Sequence, residues 1–121
     1  MPTVQIYPTK PLAFTVVFHS PQVVAYRLWY KRPGEAKYTI FATGTDNEPS
    51  NPSTHTHVVD NLSAGSEIVY LVWLSGNGNS PYQIDVELAQ NGQAVPNGSF
   101  SLQGTTDADG FAQKKDTINI V

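Results

Sequence analysis

Two histidines two residues apart are the first candidates for chemistry. In "THTH" they are His55 and His57, and on a β-strand that spacing puts both rings on one face, a geometry that metal sites use. Zinc needs at least a third ligand. His19 is the one further imidazole, and Asp46, Glu48 or Asp60 could add a carboxylate. The simpler reading is a pair of polar side chains on an edge strand. Asp107 and Asp109 in "DADG" suggest a calcium loop, but an EF-hand needs a third acidic or Asn position and a closing Glu. A turn built by Asp and Gly accounts for the same residues. Neither group carries a metal assignment, and no cofactor is expected.

Hydrolysis by paired carboxylates would draw on Asp85 and Glu87, which on a strand share a face about 7 Å apart. Their polar neighbours on a convex sheet offer nothing to raise one pKa above the other. Ser20, His19 and Asp60 make a nucleophilic set only on paper. The sequence has no nucleophile elbow, no H-E-x-x-H and no phosphate-cradling glycine loop, since "SGNGNS" follows a strand end and precedes Pro81. A non-enzymatic role is the expectation. "NLS" at Asn61 and "NGS" at Asn97 match glycosylation acceptors, discounted for want of a visible secretory signal.

Composition narrows the partners. The chain has 121 residues, 7 Lys and Arg against 10 Asp and Glu, and a net charge of −3. A nucleic-acid binder needs a basic footprint to displace counterions, and Arg27, Lys31, Arg32 and Lys37 on one hairpin are ordinary solvated surface. No apolar run approaches the roughly 20 residues that span a bilayer. Neither nucleic acid nor membrane insertion is expected. There is no cysteine, hence no disulfide framework and no thiolate chemistry. "MPTVQIYPTK" shows no basic region followed by an apolar core, so the default compartment is the cytoplasm, with a processed secreted or cell-surface module as the alternative. Charged residues are 14% of the chain, against about 25% on average, so Ser, Thr, Asn, Gln and Gly must cover the surface. That suits an extracellular-type or assembly module.

The elements that must position these residues are strands. Nine Gly and nine Pro, evenly spread, punctuate short β-branched and aromatic runs, the mark of an all-β sandwich or barrel in one domain. The pattern predicts strands at Thr3–Tyr7, Leu12–Phe18, Val23–Lys31, Lys37–Thr43, Thr54–Val59, Glu67–Leu74, Tyr82–Ala89, Ser99–Gln103 and Thr117–Val121. Pro33-Gly34 in "RPGE" sets a tight reversal, and Asn91-Gly92 favours a two-residue hairpin.

The stretches "AYRLWYKRPGEAKYTIFAT" and "THVVDNLSAGSEIVYLVWLSGNG" resemble a fibronectin type III or related immunoglobulin-like module over about 70 residues. Tyr26, Leu28 and Tyr30 match that family's Y-x-V-x-Y strand, and Leu62, Gly65 and Ser66 match its L-x-P-G-T-x-Y corner. Ala64 stands where Pro is usual, Ile68 replaces the corner tyrosine, and the early core Trp is absent, with Phe14 or Val16 the nearest candidates. "GTTDADGFA" looks like a turn common in bacterial immunoglobulin-like repeats. The resemblance implies an antiparallel β-sandwich of eight or nine strands, with Val23–Lys31 and Glu67–Leu74 neighbours in one sheet and Tyr82–Ala89 the final strand of that sheet.

On that arrangement, "IVYLVWLSGNGNSPY" contains a strand apolar on both faces. Ile68, Tyr70, Val72 and Leu74 point into the sandwich with Tyr26, Leu28 and Tyr30. Ala25, Arg27, Trp29, Val69, Leu71 and Trp73 point out, and Phe41 is placed with them. Leaving such a face in water forgoes roughly 1.5–3 kcal/mol per large side chain. Three readings stay open. The C-terminal strands or the Gly44–Ser53 loop fold over the face; a protein partner or a second copy covers it; or Trp29 and Trp73 stack on sugar rings while Arg27, Asp85 and Glu87 bond the hydroxyls. The expectation is a non-catalytic module binding protein, itself included, through this face, with a carbohydrate-binding module or small lectin as the alternative.

Overall fold

The computed structural model describes residues 3–8, 10–19, 23–46 and 53–121, and among them the regular elements are all strands, with no helix. The strands are β1 (Thr3–Val4), β2 (Leu12–Phe18), β3 (Val23–Lys31), β4 (Thr39–Asp46), β5 (Ser53–Val59), β6 (Glu67–Ser75), β7 (Pro81–Gln90), β8 (Gln93–Thr105) and β9 (Phe111–Ile120). They form two packed sheets, a five-stranded one in the order β1-β9-β6-β3-β4 and a four-stranded one in the order β5-β2-β7-β8.

Period-two alternation sets which side chains enter the space between the sheets. Leu12, Phe14, Val16 and Phe18 of β2 are buried, and Tyr82, Ile84, Val86 and Leu88 of β7 lie beside them. From the other sheet come Tyr26, Leu28, Ile68, Tyr70, Val72 and Leu74, all buried as the alternation requires. Phe14 sits at the middle, its ring centroid 6.1 Å from Tyr70 and 6.5 Å from Phe41. The Tyr70 hydroxyl is buried without a hydrogen-bond partner, and burial, helped by the charge of Asp116, pushes its pKa up to about 12. Between β5 and β6, Leu62 plugs the core at the corner where Gly65 N–H donates to the Ile120 carbonyl at 2.7 Å.

The turns follow their residues. Arg32 to Glu35 is closed by a 3.1 Å bond from Glu35 N–H to the Arg32 carbonyl, with Gly34 at φ 83°, as a type II turn with Pro at its second position requires. Asn91 and Gly92 have φ of 53° and 74°, the mirror-image turn that joins β7 to β8.

Four strands differ most from the sequence reading in place or length. β7 does not extend the sheet of β3 and β6; it pairs with β2 and β8 in the opposite sheet. The place beside β6 belongs to β9, which begins at Phe111 rather than Thr117. Its "AQKKD" stretch reads as loop, yet Lys114 and Asp116 on its inner row are only half-buried near the margin of the sandwich, where long polar side chains reach water. β8 begins well before Ser99, at Gln93, and ends at Thr105, while β1 keeps only two of the five expected residues, pairing in parallel with β9.

Two of the sheet changes are made by stacked arches. Residues 76–80 carry the chain from β6 to β7, and residues 106–110 carry it back from β8 to β9. They are laced together: Gly76 N–H donates to the Gly110 carbonyl at 2.9 Å, Asn79 N–H to the Asp107 carbonyl at 2.9 Å, and the buried Thr106 hydroxyl to the Asn77 carbonyl at 2.7 Å. A short alternating run fixes which side faces in; the arch decides in which sheet it lies.

Candidate functional site: the outer face of the five-stranded sheet

Register builds this face row by row. Ala25 pairs with Trp73, Arg27 with Leu71 and Trp29 with Val69 across β3 and β6. Trp73 then pairs with Gln113, Leu71 with Lys115 and Val69 with Thr117 across β6 and β9. The two indoles are therefore not adjacent. They stand four residues apart along the strands, about 14 Å, with Leu71 and Arg27 between them. Arg27 lays its guanidinium 5.5 Å from the centre of the Trp73 ring, an orientation the ring's quadrupole favours.

Val69 is buried among its neighbours, while Trp29, Leu71 and Trp73 are half-buried. All nine strands lie within the two sheets, and β9, a C-terminal strand that could have folded over the face, widens it edge-on instead. Residues 47–52 of the Gly44–Ser53 segment lie outside the described residues. Three apolar members escaped the sequence reading: Ile40 at 50% exposure, Tyr38 at 45% and Phe111 at 57%. Ile40 pairs with Trp29, and Phe111 starts β9 opposite Ser75. Tyr38, Trp29, Val69, Lys115 and Thr117 line an open hollow of about 260 Å³, with the Tyr38 hydroxyl donating to Glu67 Oε1 at 3.2 Å.

Phe41 is a correction. It was expected on this outer face, but a bulge between Leu28 and Trp29 places one extra residue on β4, so that Leu28 pairs with Ala42 and Trp29 with Ile40. The extra residue is Phe41, whose ring turns inward to lie 6.5 Å from Phe14 and 6.0 Å from Tyr30. A bulge of this kind reverses parity within one strand. The alternation Tyr38, Ile40 was the signal that could have revealed it.

Asp85 and Glu87 are a second correction. They were placed beside Arg27, but they lie on β7 and face out of the four-stranded sheet, on the opposite side of the molecule. Arg27 therefore has neither acid as a neighbour for a shared sugar. Asp85 is held in a local network: His19 Nε2 lies 2.7 Å from its Oδ2, and Gln83 Nε2 donates to Oδ1 at 3.3 Å. Desolvation alone would raise its pKa. Hydrogen bonds from Ser101, Gln83 and His19, with the imidazole charge, outweigh that and hold the carboxyl below its usual range.

His55 and His57 do share a face, but it is the interior one. They pair with Val16 and Phe14, two buried residues of β2, and pack half-buried on Tyr26, with ring centroids 5.7 and 5.5 Å from it. His57 Nε2 lies 2.6 Å from the Tyr26 hydroxyl, which donates to it in the tautomer protonated on Nδ1. Asp107 acts as a turn residue, its Oδ1 accepting from the N–H groups of Asp109 and Phe111 at 2.9 Å each. Among the described residues no three His, Asp or Glu side chains gather as a metal site; Glu48 and Ser20 lie outside those residues.

Burial, then repulsion from His55, holds the His57 pKa below the usual imidazole value. A depressed pKa means that the unfolded chain binds the proton more readily, so this stability is present above about pH 6.5 and is lost as pH falls through the folded value. The Asp85 contribution has the same sign and is lost lower, below the ordinary carboxylate range. The melting temperature should therefore fall on acidification in two stages. The first stage should shrink in His57→Gln, and an unchanged first stage would disprove the assignment.

Compared with protein-family models, with curated proteins and with solved structures, the chain matches none of them.

Proposed function

We propose that this chain is a non-catalytic interaction module that binds protein, a second copy of itself included, through the outer face of its five-stranded sheet. The observation that supports this is the row of Trp29, Leu71, Trp73, Ile40 and Phe111 on a sheet face over which no other described strand is layered. Contiguous apolar surface of that kind marks an interaction site more often than an accident of composition. We read the sandwich as immunoglobulin-like. In support, the order β9-β6-β3-β4 follows the G-F-C-C′ order of that architecture, and β5 beside β2 follows its E-B pairing, with β7 standing where strand A would be.

The test is molecular mass by light scattering on the chain and on Trp29→Ser/Trp73→Ser. Losing two large side chains from an interface forgoes about 3–6 kcal/mol, roughly a hundredfold to ten-thousandfold in Kd. The variant should dissociate while its far-UV circular dichroism is unchanged. Unfolding of the variant would instead place the tryptophans among the groups that hold the fold, and undiminished association would remove the face from binding.

The hollow at Trp29 and Tyr38, at about 260 Å³, supports a second reading as a carbohydrate-binding module or small lectin. Binding on a glycan array that soluble sugar competes away and Trp29→Ser abolishes is its test.

A further inference from the structure

The two outer faces of the sandwich carry opposite charge. Among the described residues, the face of the five-stranded sheet holds Arg27, Lys31 and Lys115 against one acid, Glu67. These are three of only seven Lys and Arg in the chain. On the outward rows of the four-stranded sheet the charged strand residues are Glu87 and Asp85, the latter held 2.7 Å from His19 just past β2, and the described residues of those rows include no Lys or Arg. Composition differs as well. Among the described strand residues, aromatic rings stand only on the first face; the outward rows of the second carry Ala13, Thr15, Thr56, Ser99 and Ser101 beside Val58 and Gln103, with Thr15 and Thr56 hydroxyls 2.9 Å apart. An acidic surface without aromatic rings is the complement of an aromatic cationic one.

Building on the reading that the aromatic face binds protein, we propose that its occupant is the acidic outer face of a second copy of this chain. Copies then stack head to tail, each five-stranded sheet on the next molecule's four-stranded sheet. Such a contact uses two different surfaces of each molecule, so a closed pair is not its natural end point; it extends into an open string or closes into a ring. Two aromatic faces meeting each other would instead set Arg27, Lys31 and Lys115 of both copies against one another, which like-charge repulsion disfavours.

The experiment uses sedimentation velocity over a wide concentration range on three full chains. The unmodified chain should gain mass with concentration without stopping at the dimer, unless the string closes into a ring of more than two copies, and should do so less at high salt. Trp29→Ser/Trp73→Ser breaks one face. Glu87→Lys/Ser99→Lys makes the other face basic at two exposed, paired positions and leaves the Asp85 network intact. Each variant alone should be monomeric, with affinity reduced roughly a hundredfold or more. Mixed in equal amounts, they should form a one-to-one dimer and go no further, because only one sound contact can then be made.

If the Glu87→Lys/Ser99→Lys chain associates as the unmodified chain does, the head-to-tail contact is wrong while the aromatic face keeps its role. An unmodified chain that stops at a dimer rules out that contact in the same way. One that stays monomeric also overturns the proposal and leaves a different protein as the occupant. If the tryptophan variant alone keeps its association, the reading on which this proposal rests falls too. Circular dichroism of each variant shows that fold loss is not the cause.

Discussion

Gly110→Ala is expected to lower the free energy of unfolding by about 3–5 kcal/mol, measured by urea denaturation. Two costs add. Gly110 has φ 88°, a conformation that L side chains adopt only under strain, costing of the order of 1–3 kcal/mol. A Cβ there would also overlap the carbonyl oxygen of Gly76, which is backbone and has no room to rotate away. One arch must then move off the other, straining the 2.9 Å bond from Gly76 N–H to the Gly110 carbonyl and its neighbours at about 1 kcal/mol each. Gly92→Ala is the control. It shares a positive φ, 74°, but a Cβ there meets nothing within 4 Å, so only the backbone strain applies. Equal losses in the two variants would show that the arches do not clasp one another.

Phe14→Ala should cost about 3–5 kcal/mol, the range for deleting a fully buried aromatic ring. It stands between the sheets and touches Tyr70 from one direction and Phe41 from another, so no single movement refills the space. Its partner measurement is Trp29→Ser/Trp73→Ser at concentrations where the chain is monomeric. Those rings lean on their neighbours within one sheet rather than filling the space between two, and their combined loss should stay below about 2 kcal/mol. The contrast separates side chains that make the fold from side chains that make a surface. Similar losses for both would mean that the outer rings belong to the core.

How far the sequence reveals this molecule depends on the range of each interaction. Local chemistry was readable. Pro33-Gly34 and Asn91-Gly92 turn where their backbone preferences say they must, and Tyr82, Ile84, Val86 and Leu88 face inward as their alternation requires. What alternation cannot encode is partnership. The same β7 pattern is satisfied in either sheet, so Asp85 and Glu87 were expected beside Arg27 and lie across the sandwich from it. Phe41 fell on the wrong side because one bulged residue reverses parity from within a strand. Lys114 and Asp116 disguised β9, since a strand at the margin of a sandwich lets even its inward row reach water. Of the outer face, Trp29, Val69, Leu71 and Trp73 were found because the unbroken apolar run from Ile68 to Leu74 leaves β6 no polar side there, and β3 lies beside it. Ile40 and Phe111 were missed because each depends on that unseen pairing.

The position of β9, between β1 and β6, has a consequence for how the molecule forms. Its parallel register joins Thr3 to Asn119, and the Val121 N–H donates to the Val4 carbonyl at 2.9 Å. Those contacts close a loop of nearly the whole described chain, and loop closure must be met in lost entropy before the pairing returns any stability. Assembly is thus expected to run on the slow timescale of non-local β-structure. Until β9 arrives, the unpaired edge of β6 stays open beside its own tryptophan, the moment at which the chain is most prone to join a stranger's strand.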